Sequence, residues 1–199
     1  MPTFVNDDGT MSLPWGAEEA KVRKTIAARA AQFIEDGMYV NLGIGIPTMV
    51  PNYIPKDFFV QFHSENGILG LGGYPKKGQE DPDLINAGKE SVVVTPGASY
   101  FSSSDSFLMI RGHHLDITCL GALQVDQTGN LASWWIKGKE IKGMGGAMDL
   151  VSGAKKKVIM MQHSAKGQSK VLKKCTYEVT GIHVVDVLIT DKGMFSWKD

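Results

Sequence analysis

The stretch Phe58-Phe59-Val60-Gln61-Phe62-His63-Ser64-Glu65-Asn66-Gly67-Ile68-Leu69-Gly70-Leu71-Gly72-Gly73 opens as an apolar run and ends in a glycine-rich loop carrying one carboxylate. Phe58 to Phe62 reads as a strand, as do Tyr39 to Leu42, Ser91 to Thr95, Asp116 to Leu120, Lys157 to Gln162 and Val184 to Thr190. Several of these runs are continuously apolar rather than alternating, which suggests strands covered on both faces. Between them, Ala17 to Asp36 places Val22, Ile26, Ala30, Phe33 and Ile34 at three- or four-residue spacing, with Glu18 and Glu19 in the first turn and Gly37 at the end. That pattern predicts a helix. Shorter helices are expected over Thr48 to Tyr53, closed before Pro55, and over Ser102 to Arg111. Strand and helix therefore alternate, giving an α/β fold with a mainly parallel open sheet flanked by helices. The turn cluster Asp126-Gln127-Thr128-Gly129-Asn130 predicts a hairpin over Gln124 to Trp135. With no internal repeat, low-complexity tract or linker, residues 1–199 read as a single domain.

Composition narrows the function. Lys plus Arg number 21 against 21 Asp plus Glu, so the formal charge is zero, and a broad nucleic-acid-binding surface is not expected. Hydrophobic residues at 43% against 21% charged supply a core and exclude global disorder. No apolar run approaches the roughly 18 residues of a membrane span, and Met1 to Ser12 lacks a secretory pattern, so a cytoplasmic protein with no membrane contact is expected. Cys119 and Cys175 are far apart and read as buried free thiols.

Chemistry concentrates in glycine loops behind strands. Glu65 follows a strand end, the place where open α/β sheets bind ligands. On composition alone a surface loop acid is the commoner reading, and the neighbouring glycines weigh against it because they allow close approach of a ligand or another backbone. Asn41 to Pro47 contains Gly43-Ile44-Gly45, but Thr48 stands where a dinucleotide fingerprint needs its third glycine. Gly143 to Asp149 reads as an oxyanion cradle of backbone N–H groups or as an ordinary turn. His63, His113, His114, His163 and His183 show no metal-ligand spacing, so no metal site is expected. No G-x-S-x-G elbow surrounds a serine, and neither cysteine has a visibly activating setting.

Taken in order, Asn41 to Pro47, Ser64 to Gly72, Asp81 to Glu90, Pro96 to Ser99 and Lys142 to Leu150 closely resemble the catalytic β subunit of family I CoA-transferases, the 3-oxoacid type above all. The similarity runs from about Glu18 to Thr190. It implies a CoA-transferase-like fold related to the sugar-phosphate isomerase superfamily, with Glu65 of the Ser64-Glu65-Asn66-Gly67 block as nucleophile. Gly146 falls at an oxyanion-stabilising position, and Asn41 and Lys89 fall where the family contacts CoA or substrate. One departure is His113-His114, where relatives often carry glycine.

The resemblance further implies a homologous α subunit as partner in a hetero-oligomer, and coenzyme A as a substrate rather than a cofactor. Succinyl-CoA and acetoacetate are the expected substrates, with CoA moved by a ping-pong route through a glutamyl-CoA thioester. The alternatives are an acyl-CoA hydrolase, in which water discharges Glu65, and a non-catalytic ligand-binding module of the same fold.

Overall fold

A computed structural model describes Val5, residues 15–141 and residues 143–197. Lys142 of the fifth matching block, and Met1 to Ser12 apart from Val5, lie outside the described residues. The chain runs α1 (Ala17–Ala31), β1 (Tyr39–Leu42), a 3-10 helix (Ile46–Tyr53), β2 (Gln61–Ser64), β3 (Ile68–Leu71), β4 (Val94–Tyr100), α2 (Ser103–Arg111) and β5 (Ile117–Gly121). It continues through β6 (Gln124–Asp126), β7 (Leu131–Ala132), α3 (Ala147–Gly153), β8 (Lys156–Met160), β9 (Ser164–Ala165), β10 (Gln168–Ser169), β11 (Val171–Leu172), β12 (Val187–Ile189) and β13 (Met194–Ser196).

The central sheet has eight strands in the order β13-β12-β8-β5-β1-β2-β3-β4. Strands β12, β8, β5, β1 and β2 run parallel, while β13 at one edge pairs antiparallel with β12 and, toward the other edge, β3 pairs antiparallel with both β2 and β4. The expected α/β architecture is therefore present, and burial explains the continuous apolar runs. In β8, Val158 and Met160 face the cluster under α1 and the 3-10 helix, whereas Ile159 faces the cluster under α2 and α3. In β12, Val187 and Ile189 face the first cluster and Leu188 the second. Both faces of the middle strands are covered, so neither face calls for polar residues.

Several boundaries differ from expectation. Helix α1 stops at Ala31, not Asp36. The Phe33 N–H bonds Ala30 and the Ile34 N–H bonds Ala31, so the chain tightens into turns while Ile34 stays buried. The helix expected over Thr48 to Tyr53 begins at Ile46 and is 3-10, with Pro51 inside it unable to donate a backbone bond. Ser102 caps α2, its hydroxyl accepting from the Asp105 N–H at 3.1 Å. The hairpin expected over Gln124 to Trp135 is the antiparallel pair β6–β7. Helix α3 and edge strand β13 are additional to the expected elements, and the glycine loop around Gly143 to Asp149 becomes helix from Ala147 onward. No described helix is long and apolar enough to cross a membrane.

The larger correction concerns Ser64 to Gly73, which is a tight hairpin instead of a loop. Strand β2 runs through Ser64, the chain turns at Glu65 and Asn66, and β3 returns antiparallel with Ser64 opposite Ile68. Glycines at 67, 70 and 72 hide the strand pattern in the sequence. Gly67 (φ 114°) closes the turn, its N–H bonding the Ser64 carbonyl at 3.0 Å. Strand β4, expected over Ser91 to Thr95, lies further on at the sheet edge, where Pro96 is tolerated.

A Cβ at Gly67 would collide with the Phe101 carbonyl oxygen, and the positive φ adds strain. Gly67→Ala is expected to lower stability by about 2–4 kcal/mol in denaturant titration. Gly73→Ala, whose Cβ meets nothing within 4 Å, is the control and should stay within about 0.5 kcal/mol of wild type.

Candidate active site

Strands β1, β2 and β5 run parallel and end at one edge, where Gly43, Glu65 and Gly121 to Leu123 open a cavity of about 450 Å³. Its far wall is formed by Ser133, Trp134 and the segment Gly143 to Ala147 that leads into α3. Glu65 is half-buried in it. Desolvation pushes its carboxyl group above the usual range, partly offset by a hydrogen bond from its own backbone N–H. Gly146 sits against this side chain. A Cβ there would lie 3.5 Å from Glu65 Cγ and 3.2 Å from the Phe107 ring, so a glycine lets the chain pass close to the carboxylate. Of the residues singled out in the sequence, Glu65 and Gly146 are therefore brought together.

Asn41 is placed differently: it does not line the cavity but lies fully buried under it, opposite His63 of β2 and Thr118 of β5 in the strand register. Its Nδ2 donates to the His63 carbonyl at 3.2 Å and lies 3.1 Å from His63 Nδ1, and its Oδ1 accepts from Thr118 Oγ1 at 3.2 Å. A carbonyl only accepts, so the amide group facing it is the NH2, and His63 Nδ1 must then be the unprotonated nitrogen. The proton sits on Nε2, which donates to Ser106 Oγ of α2 at 2.9 Å. Burial lowers the His63 pKa to about 4, keeping the ring neutral. His63 also stacks on Phe101, with ring centroids 6.1 Å apart.

Lys89 is exposed, at φ 61° in a turn where its N–H bonds the Asn86 carbonyl at 2.9 Å. The same turn docks on the Ser64-Glu65-Asn66-Gly67 block. The Ala87 N–H donates to Ser64 Oγ at 3.0 Å, Asn66 Nδ2 donates to the Ile85 carbonyl at 2.8 Å, and Ala87 lines the cavity. Lys89 itself is not among the wall residues. Both thiols are inert at neutral pH: burial raises Cys119 to about 12, and burial together with the Asp126 carboxylate raises Cys175 to about 12. His113, where a glycine was expected from the resemblance, adopts φ 60°, and its Nδ1 bonds the Gly153 carbonyl at 2.8 Å.

Sequence reasoning missed Ala87, Ser106 and Trp134. The first two carry no local signal, since one acts through its backbone and the other is a helix serine. Trp134 is marked only by being a large polar-tipped aromatic beside a hairpin.

The coenzyme A transferase family model matches residues 23–197. A protein of Bacillus subtilis, described as one subunit of a probable succinyl-CoA:3-ketoacid coenzyme A transferase, is 55% identical over 178 residues, covering 89% of this chain and 82% of the relative. The human mitochondrial succinyl-CoA:3-ketoacid coenzyme A transferase 2 is 53% identical over 180 residues, covering 89% of this chain and 35% of the relative, so the chain spans about a third of that protein. A crystal structure of an acyl-CoA transferase apoenzyme from Escherichia coli O157:H7 shares the fold, with a TM-score of 0.68 and 21% identity over 96% of this chain and 38% of that one.

The shifted groups set a pH test with opposite signs. A raised folded pKa at Glu65 means the folded state holds the proton more tightly than the unfolded chain, so stability is lost as pH rises through the raised value. Glu65→Gln is expected to be more stable than wild type at pH 7–8, with the gap closing toward pH 4.5. His63 acts the other way, costing stability in both proteins as pH falls from 6.5 toward about 4, and so cancels from their difference. Denaturant midpoints across pH measure the gap; one that widens toward acid would contradict the desolvated carboxylate.

Proposed function

This chain belongs to the coenzyme A transferase family, and from that premise we propose that it is the nucleophile-bearing subunit of a succinyl-CoA:3-oxoacid CoA-transferase. The observation that carries the reading is the half-buried carboxylate of Glu65 pressed against Gly146 in a cavity at the ends of parallel strands.

The chemistry suits the residue. A carboxylate is ionised near neutral pH without a general base, and partial desolvation makes the anion more reactive. The Glu65 carboxylate attacks the acyl-CoA carbonyl, the C–S bond breaks, and CoA thiolate leaves a mixed anhydride. The thiolate then attacks the glutamyl carbonyl, forming the enzyme thioester and releasing the donor acid as carboxylate. The acceptor acid runs the same steps in reverse. Each attack passes through a tetrahedral oxyanion, and in this reading the backbone N–H at Gly146 stabilises it; the closeness of Gly146 to the Glu65 side chain supports that role. Neutral His63, locked between Asn41 and Ser106, takes no part in proton transfer and fixes the strand end that carries Ser64 and Glu65.

The partner in this reading is a homologous α subunit. The names of the bacterial relatives describe them as single subunits of a transferase, and this chain covers only 35% of the mitochondrial relatives, which leaves room in them for a second half.

Incubating the complex of this chain and its partner with succinyl-CoA, without an acceptor, should load CoA on Glu65 as a thioester. Mass spectrometry then shows this chain heavier by one CoA, and borohydride reduction fixes the site at position 65. Glu65→Ala should abolish labelling and transfer. Glu65→Asp withdraws the nucleophile by one methylene and should cost about a hundredfold in turnover. A label on Cys119 or Cys175, or wild-type exchange in either variant, would refute the mechanism; free CoA released at the full rate without an acceptor would identify a hydrolase. In the same complex Lys89→Ala is expected to lower turnover by about tenfold if its cation reaches bound CoA, and unchanged kinetics would return it to the solvated surface.

A further inference from the structure

Two cations share one small cavity beside the space that holds Glu65. It measures about 190 Å³ at the ends of β5 and β8, and its wall carries Arg23 of α1 and Lys170 together with Ile44, Gly121 and Ala122. The last three also line the Glu65 cavity, so the two spaces are neighbours along one sheet edge. Lys170 is half-buried, and its Nζ donates to the Ala122 carbonyl at 2.8 Å, which fixes the ammonium group at the cavity wall. Among the described residues no carboxylate forms an ion pair with it. Arg23 donates Nε and Nη2 to Glu19 Oε1 at 3.0 and 2.6 Å, and its guanidinium carbon lies 4.3 Å from the Trp15 ring centroid. Neither bond uses Nη1.

This arrangement is costly as it stands. Two cations and one carboxylate leave an unbalanced positive charge, and the cavity lining contains no acid. Burial first, and the nearby Arg23 guanidinium second, hold the Lys170 pKa below the ordinary lysine value, so the two charged ends oppose each other across the space. A half-buried ammonium group whose bound partner is a neutral carbonyl still has donors to give, and charge-assisted bonds to an anion answer both its desolvation and its repulsion.

Position separates the anions that could supply this. The strand order at this edge is β8-β5-β1-β2, and Glu65 follows β2. At about 4.8 Å per strand, β5 and β8 lie about 10–14 Å from β2. The far carboxylate of a four-carbon acyl group, about 5 Å from the carbon that Glu65 would attack, falls short of that distance, whereas the pantetheine arm of CoA spans about 15 Å when extended. Ile44, exposed and common to both cavities, offers the arm an apolar contact on the way. We propose that Arg23 and Lys170 form a subsite for the phosphate-bearing end of CoA, reached from Glu65 across Ile44 and Gly121. This rests on the transferase reading and deepens it.

The test uses the complex with the partner subunit and two donors that differ in the phosphate-bearing end, succinyl-CoA and succinyl-pantetheine, with acetoacetate as acceptor. Lys170→Met and Arg23→Gln should each lower kcat/KM for succinyl-CoA by about tenfold or more and leave that for succinyl-pantetheine within about twofold. An equal loss on both donors, as packing damage gives, or an unchanged preference for the CoA ester in either variant overturns the proposal; should one variant fail to assemble, the other decides alone. A second readout does not depend on turnover. In calorimetric titration of the complex, the Kd for CoA should rise about tenfold or more in the variants. An unchanged Kd for CoA overturns the subsite, and if binding of inorganic phosphate alone is weakened, the cations serve an independent phosphate site instead. Should the wild-type complex transfer no CoA, the transferase reading fails, and the titration with CoA still decides the subsite.

Discussion

Thr118, Asn41 and His63 stand in register on adjacent parallel strands, and their side chains bond one another in a line that continues to Ser106 on α2. All four residues are buried. Buried polar groups are costly unless each finds its partner, so this line is compatible with very few arrangements of the strands. Sliding β1 by one residue would turn Asn41 toward the apolar cluster of Ile26, Met49 and Val50 and leave His63 without its donor. The hydrophobic clusters hold the layers together without much preference for register. The polar line supplies that preference, and with it the common level at which β1, β2 and β5 end.

From that level the site follows. Because β2 is fixed by His63, the hairpin turn carrying Glu65 is fixed too, and Gly67 lets the turn close against the Phe101 carbonyl. The turn around Ala87 docks on Ser64 Oγ and walls the cavity. On the opposite side α2 and α3 pack together, bringing the Phe107 ring and Gly146 to the carboxylate. The carboxylate is held where water solvates it poorly, which works against the stability of the free chain and, in the proposed reaction, in favour of nucleophilic attack. Among the described residues, the side chains around the anion are otherwise mostly glycine or apolar, so polar contacts from this wall come chiefly from backbone groups.

The two cysteines illustrate how environment decides reactivity. Cys119 lies in the middle of β5 among apolar neighbours, and Cys175 stands beside the Asp126 carboxylate; both settings disfavour thiolate. The carboxylate of Glu65 needs no such activation, because its anion is the ordinary form near neutral pH. A carboxylate proposed as a nucleophile that requires no base is compatible with a histidine neighbour kept neutral and used only as a strut.

The sequence by itself determined the layers and the candidate for the reactive group. Continuous apolar runs identified strands covered on both faces, the spacing of Val22, Ile26, Ala30 and Ile34 identified α1, and the Ser64-Glu65-Asn66-Gly67 block identified the carboxylate, because each is written in contiguous residues. Boundaries shifted where local pattern competes with backbone needs: prolines turned one helix into a 3-10 helix, and glycines disguised β3 as a loop. Only the tertiary structure decided that Asn41 is buried bracing His63, that Gly146 touches Glu65, that Lys89 sits on an exposed turn, and that Trp134 is in the wall of the cavity that holds Glu65. Each of these depends on residues far apart in the chain and brought together by strand order, and no window of sequence contains both partners.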